Sequence, residues 1–133
     1  MNTGKNLRKE TKKWSILVAE DDHTNFYYLN ALLTRDTDAK ILHAINGKEA
    51  INIYESGDNI KLILMDIKMP EMDGFEATRQ IKLLNPNIPV IAITAYAMSG
   101  DEERIIEAVC DGYLSKPINK NNLFKKIREF IEI

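Results

Sequence analysis

Five short apolar runs alternate with stretches of helical spacing, and this alternation limits the chain to few folds. The runs lack the polar alternation of half-exposed strands, as is typical of parallel strands covered by helices on both faces. Right-handed crossovers between such strands produce a doubly wound α/β sandwich. The sequence therefore predicts a flavodoxin-like, five-stranded parallel sheet of order 2-1-3-4-5. The predicted strands are 15–19, 39–45, 61–65, 88–93 and 112–115.

Helical spacing follows each predicted strand. The apolar positions Phe26, Leu29, Leu32 and Leu33 indicate a helix over about 24–35, and similar patterns predict four more. Asp22 is a possible N-cap of the first helix. The later helices are expected at 47–56, around 75–81, at 99–109 and from about 119 to the C-terminus.

Composition excludes several classes of protein. A length of 133 residues suits one domain with a core, and a formal net charge of −2 gives no electrostatic reason to bind nucleic acid or a membrane. The single cysteine, Cys110, excludes an intrachain disulfide and fits a reducing compartment; its apolar helical spacing predicts packing. No apolar run approaches the roughly 18 residues of a spanning helix, and the N-terminus lacks a secretory signal. We therefore expect a cytoplasmic protein without a membrane span.

Residues 1–13 are predicted to form a basic, flexible lead-in or linker before a domain at 14–133. Five basic side chains without interleaved aromatic residues are weak evidence for an arm that binds lipid or nucleic acid. A solvated tail or the remnant of a linker is the preferred interpretation. The basic side chains are Lys5, Arg8, Lys9, Lys12 and Lys13.

Polar residues interrupt the apolar pattern at the carboxyl ends of four predicted strands. Glu20 and Asp21 follow the first strand, Asp66 the third, Thr94 the fourth and Lys116 the fifth. In an open parallel sheet, ligands bind beyond these ends, near the point where the strand order reverses. Each carboxylate could instead cap the next turn or helix. Agreement among four strand ends favours a shared site.

The charges of this predicted site indicate its chemistry. Three carboxylates and one lysine leave a net negative charge, which favours a divalent cation. Oxygen ligands without nearby His or Cys suit Mg²⁺. Asp66 could then act as a nucleophile toward a phosphoryl group, while Lys116 and the Thr94 hydroxyl stabilise the charge on its oxygens.

The segments 16–22, 62–81, 90–97 and 113–118 resemble the response-regulator receiver domain of two-component signalling. These segments read ILVAEDD, LILMDIKMPEMDGFEATRQI, VIAITAYA and YLSKPI. The phrases HTN and MDGFEATRQI are most similar to receivers of hybrid sensor histidine kinases. The resemblance implies a phosphohistidine donor on a histidine kinase or a histidine phosphotransfer domain, and a phosphorylation-dependent switch in partner binding.

The same resemblance implies roles for individual residues. Asp66 matches the phosphorylated aspartate, with Lys116 and Thr94 assisting. The metal ligands would be Asp21 directly, Glu20 through water, Asp66, and the backbone carbonyl of Lys68. Three further positions are assigned to phosphoryl binding and switching: Ala95, Tyr113 and Tyr96. The peptide bond between Lys116 and Pro117 is expected to be cis.

Tyr96 and Lys68 lie at the positions that influence attack by water on the phosphoaspartate in this family. We expect both side chains to crowd that approach and to slow self-hydrolysis. A phosphohistidine role for His23 is disfavoured, because the acceptor is already supplied; solvent exposure is expected instead.

Several alternatives stay open at this point. The chain could be a stand-alone single-domain response regulator, or a Mg²⁺-dependent phosphohydrolase, although such enzymes need an Asp where Lys68 stands. A flavin-binding module would need a phosphate-binding loop in place of EDDHTN. A receiver catalyses its own phosphorylation and dephosphorylation, so whether it counts as an enzyme depends on whether a kinase is attached. A monomer, or a weak dimer through the predicted helix 4 to helix 5 face, is expected.

Overall fold

A computed structural model describes residues 13–57, 59–95 and 110–133 of the chain. Within them lies one parallel sheet whose strand order is β2-β1-β3-β4-β5, as the sequence predicts. The strands are β1 (Ser15–Ala19), β2 (Lys40–Ala44), β3 (Ile60–Asp66), β4 (Val90–Thr94) and β5 (Gly112–Ser115).

Strand boundaries shift by one or two residues from the predicted ones. β4 begins at Val90 instead of residue 88, because Pro89 has no N–H to donate to a ladder and Ile88 belongs to the preceding turn. β3 and β4 each extend one residue further, to Asp66 and Thr94. Both polar residues are therefore held by the sheet itself.

The described helices are α1 (His23–Asp36), α2 (Gly47–Ser56), α3 (Gly74–Leu84) and α4 (Lys120–Arg128). Each begins with a side chain that accepts a hydrogen bond from the backbone N–H three residues later, which satisfies one of the free donors of the first turn. The capping residues are Asp22, Asn46, Asp73 and Asn119. The helix predicted at 99–109 lies outside the described residues.

Two predicted positions at the C-terminal end need correction. α4 ends at Arg128, so Phe130 and Ile131 lie beyond the helix, although both still pack against the core. Cys110 lies in the segment before β5 and not in a helix. It is half-buried against the core as predicted, and burial raises the pKa of its thiol to about 11.

Alternate residues of the central strands pack on opposite faces of the sheet. Ile16 and Val18 of β1 contact the core that α1 and α4 cover, whereas Leu17 and Ala19 contact the core covered by α2 and α3. Burial on both faces explains the continuous apolar runs in the sequence. Among the described helices, none has the length and apolar character needed to cross a bilayer.

Candidate functional site

Four strand ends converge at one edge of the sheet. Glu20 directly follows β1, Asp66 ends β3, Thr94 ends β4 and Lys116 directly follows β5. The side chains of Glu20, Asp66 and Thr94 are buried, and that of Lys116 is half-buried. The polar residues that the sequence places at four strand ends thus lie together at one edge of the sheet.

Three carboxylates lie close enough to share a cation. One oxygen each from Glu20, Asp21 and Asp66 lies within 4.8 Å of the others. Asp21 is exposed, whereas the other two carboxylates are buried. A cation at this position would be reached from solvent on the Asp21 side.

The Lys116 ammonium lies between two of these carboxylates. Its Nζ is 3.3 Å from Asp66 Oδ2 and 3.4 Å from Glu20 Oε1. Burial alone would lower the pKa of Lys116, but the charges of Asp66 and Glu20 outweigh burial and raise it. The Lys116 backbone N–H donates to the Thr94 carbonyl at 2.8 Å, and the following peptide bond to Pro117 is cis, as expected.

Glu20 is poorly suited to carry a negative charge in the absence of a cation. Burial raises its pKa to about 7, and its contacts with Asp66 add to the shift. One oxygen, Oε2, accepts a hydrogen bond from the Asp22 N–H at 3.1 Å. The other, Oε1, is buried and makes no hydrogen bond among the described residues; its contact there is the 3.4 Å ion pair with Lys116. A buried oxygen in this state has capacity for a cation or for a water bound to one.

Asp66 is oriented by its own loop. Its Oδ1 accepts a hydrogen bond from the Lys68 N–H at 3.1 Å, while Oδ2 faces Lys116. The loop returns past Asp66 at Gly74, whose N–H donates to the Ile67 carbonyl at 3.2 Å. A Cβ at Gly74 would collide with the Asp66 carbonyl oxygen. The glycine therefore permits the close approach that begins α3 beside the site.

The donor set fits the predicted magnesium ion. Carboxylate oxygens are hard ligands, and the clustered group contains neither His nor Cys. All three carboxylates among the predicted ligands, Asp21, Asp66 and Glu20, belong to the cluster. That Glu20 acts through water stays a prediction. The ligand role of the Lys68 carbonyl stays a prediction.

The predicted switch residues are less closely gathered. Ala95 follows β4 and is exposed, and Tyr113 lies on β5 with 37% of its surface exposed. Tyr96 lies outside the described residues, so the hypothesis that it slows self-hydrolysis stays untested. His23 is exposed, as expected.

A groove and a histidine at the site were not predicted from the sequence. The groove has a volume of about 580 Å³ and runs between α1 and the segment after β5, where the Tyr28 hydroxyl donates to the Ile118 carbonyl at 2.9 Å. His43 contacts the Glu20 carbonyl at 2.8 Å, and its only signal in the sequence is a polar residue inside an apolar strand. The groove is lined by Glu20, Thr24, Asn25, Tyr28, Leu29, Ile93, Lys116, Pro117 and Ile118.

Two curated relatives match most of this sequence. The hybrid signal transduction histidine kinase I of Dictyostelium discoideum is 42% identical over a match of 121 residues that covers 84% of this chain and 7% of that protein. The polar-differentiation response regulator DivK of Brucella anthropi is 36% identical over a match of 119 residues that covers 88% of this chain and 95% of DivK. The chain thus spans a small part of the first relative and nearly all of the second.

Solved structures share its fold. The receiver domain of the Pseudomonas aeruginosa sensor histidine kinase PA1611, which holds a magnesium ion in its active-site cleft, has a TM-score of 0.80 and 31% identity over 87% of this chain and 95% of that one. The Saccharomyces cerevisiae Ssk1 receiver domain, solved with the histidine phosphotransfer protein Ypd1, also has a TM-score of 0.80 and 31% identity, over 90% and 89% of the two chains.

A family model extends the match across almost the whole described fold. The response regulator receiver domain model covers residues 16–128, from β1 to the last residue of α4. That range contains every carboxylate of the cluster together with Thr94 and Lys116. The chain therefore belongs to the response-regulator receiver domains of two-component signalling.

Proposed function

We propose that Asp66 accepts a phosphoryl group from a phosphohistidine donor in a Mg²⁺-dependent reaction. The observation that carries the proposal is the position of Asp66, a buried carboxylate beside an ammonium and within the three-carboxylate cluster. Buried carboxylates rarely sit together unless a ligand uses their charge. The proposal also draws on the magnesium ion in the PA1611 receiver.

In the proposed step, an oxygen of Asp66 forms a bond to phosphorus while the bond from phosphorus to the donor imidazole nitrogen breaks. The electron pair stays on that nitrogen, and the donor leaves as neutral imidazole because its other ring nitrogen carries a proton when the bond breaks. Lys116 attracts the phosphoryl oxygens and keeps Asp66 oriented, and the Thr94 hydroxyl is suited to donate to one of them. Asp21 would hold the ion directly, Glu20 through water, with Asp66 and the Lys68 carbonyl. When bound, Mg²⁺ neutralises carboxylate charge and polarises the phosphoryl oxygens.

The acceptor assignment is tested by intact mass after incubation with acetyl phosphate. We expect one phosphoryl group on the wild-type protein with Mg²⁺, none with EDTA, and none on Asp66→Asn. Asp38→Asn serves as a matched control, because Asp38 is exposed and follows α1 at the other end of the sheet. An adduct that persists in Asp66→Asn would refute the assignment, and turnover of phosphate esters would favour a phosphohydrolase.

We further propose that the phosphoryl donor docks over the groove beside α1. The groove reaches Glu20 and Lys116 at one end, and Tyr27 and Tyr28 of α1 are 65% and 46% exposed. Exposed aromatic side chains are common in protein interfaces. The Ssk1 receiver forms a complex with a phosphotransfer protein, which supports a partner of this kind.

A variant that fills the groove separates docking from chemistry. Asn25→Arg places a long side chain in the groove, so we expect slower transfer from a phosphorylated histidine phosphotransfer domain. Phosphorylation by acetyl phosphate should be unchanged, since this small molecule needs no docking. Equal slowing of both reactions would contradict the docking proposal.

The receiver is proposed to operate within a hybrid-kinase phosphorelay. Support comes from the 42% identity to a hybrid histidine kinase, while the match to nearly all of DivK supports a stand-alone regulator. In a relay, the receiver passes its phosphoryl group on. Transfer from the phosphorylated chain to a histidine phosphotransfer domain, followed on a radiolabelled gel, would favour the relay, and its absence would favour the stand-alone regulator.

A further inference from the structure

Both backbone polar groups of Glu20 are held by the edge strand β2. The Glu20 N–H donates to the Ala44 carbonyl at 2.9 Å. The Glu20 carbonyl lies 2.8 Å from Nε2 of His43. Because a carbonyl oxygen only accepts, Nε2 must carry the hydrogen in this contact. His43 therefore donates a side-chain hydrogen bond to the backbone of the acidic pair.

This bond continues the sheet at the point where the chain leaves it. β1 pairs with β2 in register, with Val18 opposite His43 and Ala19 opposite Ala44. In a regular parallel ladder, the next donor to the Glu20 carbonyl would be the Asn46 N–H. β2, however, ends at Ala44, and Asn46 caps α2. The imidazole supplies a donor where the backbone has turned away.

Aromatic contacts hold the imidazole in place. Its ring lies parallel to that of Phe26, with centroids 3.6 Å apart and 5° between the planes. The His23 ring approaches at 6.0 Å and 82°. Phe26 is buried in the first turns of α1, and its N–H bonds the Asp22 carbonyl at 2.9 Å. The ring therefore connects β2, the acidic pair and the start of α1.

We infer that His43 is a positioning residue that fixes the Glu20–Asp21 peptide and so prepares the acidic pair for the cation. The carbonyl that His43 binds belongs to this peptide, whose orientation sets the direction of both carboxylates. In the metal-free protein these carboxylates and Asp66 repel one another, so a free peptide would let the cluster spread. Partners that orient metal ligands commonly affect metal affinity. The inference rests on the proposed magnesium site.

Two substitutions separate the hydrogen bond from the packing. His43→Phe keeps a flat ring against Phe26 but removes the donor. His43→Gln loses the ring but keeps an N–H donor of similar reach. We expect His43→Phe to raise the Kd for Mg²⁺ roughly tenfold by calorimetry, and His43→Gln to keep most of the wild-type affinity. His23→Phe, which leaves the bond from His43 to the Glu20 carbonyl in place, should bind Mg²⁺ like the wild type.

A second readout needs no metal. In metal-free His43→Phe, we expect faster hydrogen exchange at the Asp22 N–H, which donates to the Glu20 side chain, and unchanged exchange in the centre of β3.

A third readout is the Mg²⁺ dependence of phosphorylation by acetyl phosphate. In His43→Phe, the Mg²⁺ concentration for half-maximal rate should rise while the rate at saturating Mg²⁺ stays the same. A merely structural role would slow the reaction at every Mg²⁺ concentration.

The outcomes distinguish this inference from the proposed function. If the wild-type protein binds no Mg²⁺, the proposed function fails first. If the wild type and His43→Phe bind with equal affinity and exchange equally at Asp22, only the role of His43 is refuted. A loss of affinity in His43→Gln as large as in His43→Phe would show that a donor at this position does not restore binding, and would also refute the inference.

Discussion

Asp66 and Gly74 approach each other so closely that the residue at position 74 decides the shape of the acceptor loop. Besides the Asp66 carbonyl, a Cβ there would meet the Ile67 Cα at 2.8 Å and the Met65 Cγ at 2.9 Å. Two of these three contacts are backbone atoms, one of the acceptor Asp66 and one of Ile67 directly after β3. They cannot move away without displacing Asp66 itself.

We therefore predict that Gly74→Ala destabilises the protein by about 2 kcal/mol or more. Urea denaturation followed by circular dichroism measures this change. Gly112→Ala is the matched control, because the atoms nearest to its Cβ would be those of the flexible Lys126 side chain, at 3.2 Å, and of the Phe130 ring, at 3.5 Å. Equal free energies of unfolding for the two variants would show that the loop accommodates a Cβ at position 74, which would contradict the prediction.

Part of this site follows from local sequence and part does not. Asp73 caps α3 by accepting a hydrogen bond from the Glu76 N–H, which is a local feature of an Asp directly before a helix. The contact between Gly74 and the Asp66 carbonyl depends on how the loop returns across β3. The path of this loop is set by the packing of α3 on the sheet. A local sequence pattern therefore does not predict the contact.

At the scale of elements, an ion pair between a buried lysine and a partly exposed aspartate joins α3 to the starts of β4 and β5. Lys82 is 8% exposed, and its Nζ lies 2.7 Å from Asp111 Oδ2 and 2.6 Å from the Ile88 carbonyl. Asp111 Oδ2 also accepts a hydrogen bond from the Val90 N–H at 2.8 Å. This connection lies at the end of the sheet opposite the site.

Lys82→Met should lower the free energy of unfolding by roughly 2 kcal/mol, since it leaves the Asp111 carboxylate without its cation. The effect is moderated because the Asp111 side chain is 32% exposed and can be hydrated. Affinity for Mg²⁺ should not change, given the distance from the site along the strands. Lys61→Met, at an exposed lysine of β3, is the control and should have little effect on stability. A Lys82→Met protein as stable as this control would argue against the prediction.

At the scale of the whole molecule, the acidic cluster links folding stability to pH. The pKa of Glu20 rises from its ordinary value of 4.5 to about 7, mainly through burial. Between these two pH values the folded protein holds a proton that the unfolded chain has released. Stability of the metal-free protein should therefore fall as pH rises through this window and then level off.

Mg²⁺ should reverse this trend, because the ion competes with the proton at Glu20. At about ten times its Kd, a ligand specific for the folded state adds about 1.4 kcal/mol. We predict a larger rise in Tm with Mg²⁺ at about pH 8 than at about pH 6, measured by scanning calorimetry. In Glu20→Gln this difference between the two pH values should largely disappear. A Tm increase independent of pH in the wild type would contradict the role assigned to Glu20.

The sequence by itself determined the layered fold, the strand order and the set of polar residues at the strand ends. Strand and helix periodicities are local, and parallel strands necessarily bring their carboxyl ends to one edge. This is why Asp66, Glu20, Thr94 and Lys116 could be assigned to one site before any coordinates.

Only the tertiary structure decided which atoms meet. Lys116 and Asp66 are 50 residues apart in the chain, Lys82 and Asp111 are 29 apart, and His43 and Glu20 are 23 apart. Contacts over such separations depend on strand register, side-chain rotamers and the burial that neighbouring helices impose. The same causes set the raised pKa of Glu20 and the groove beside α1, because burial is a property of the packed molecule and not of any segment.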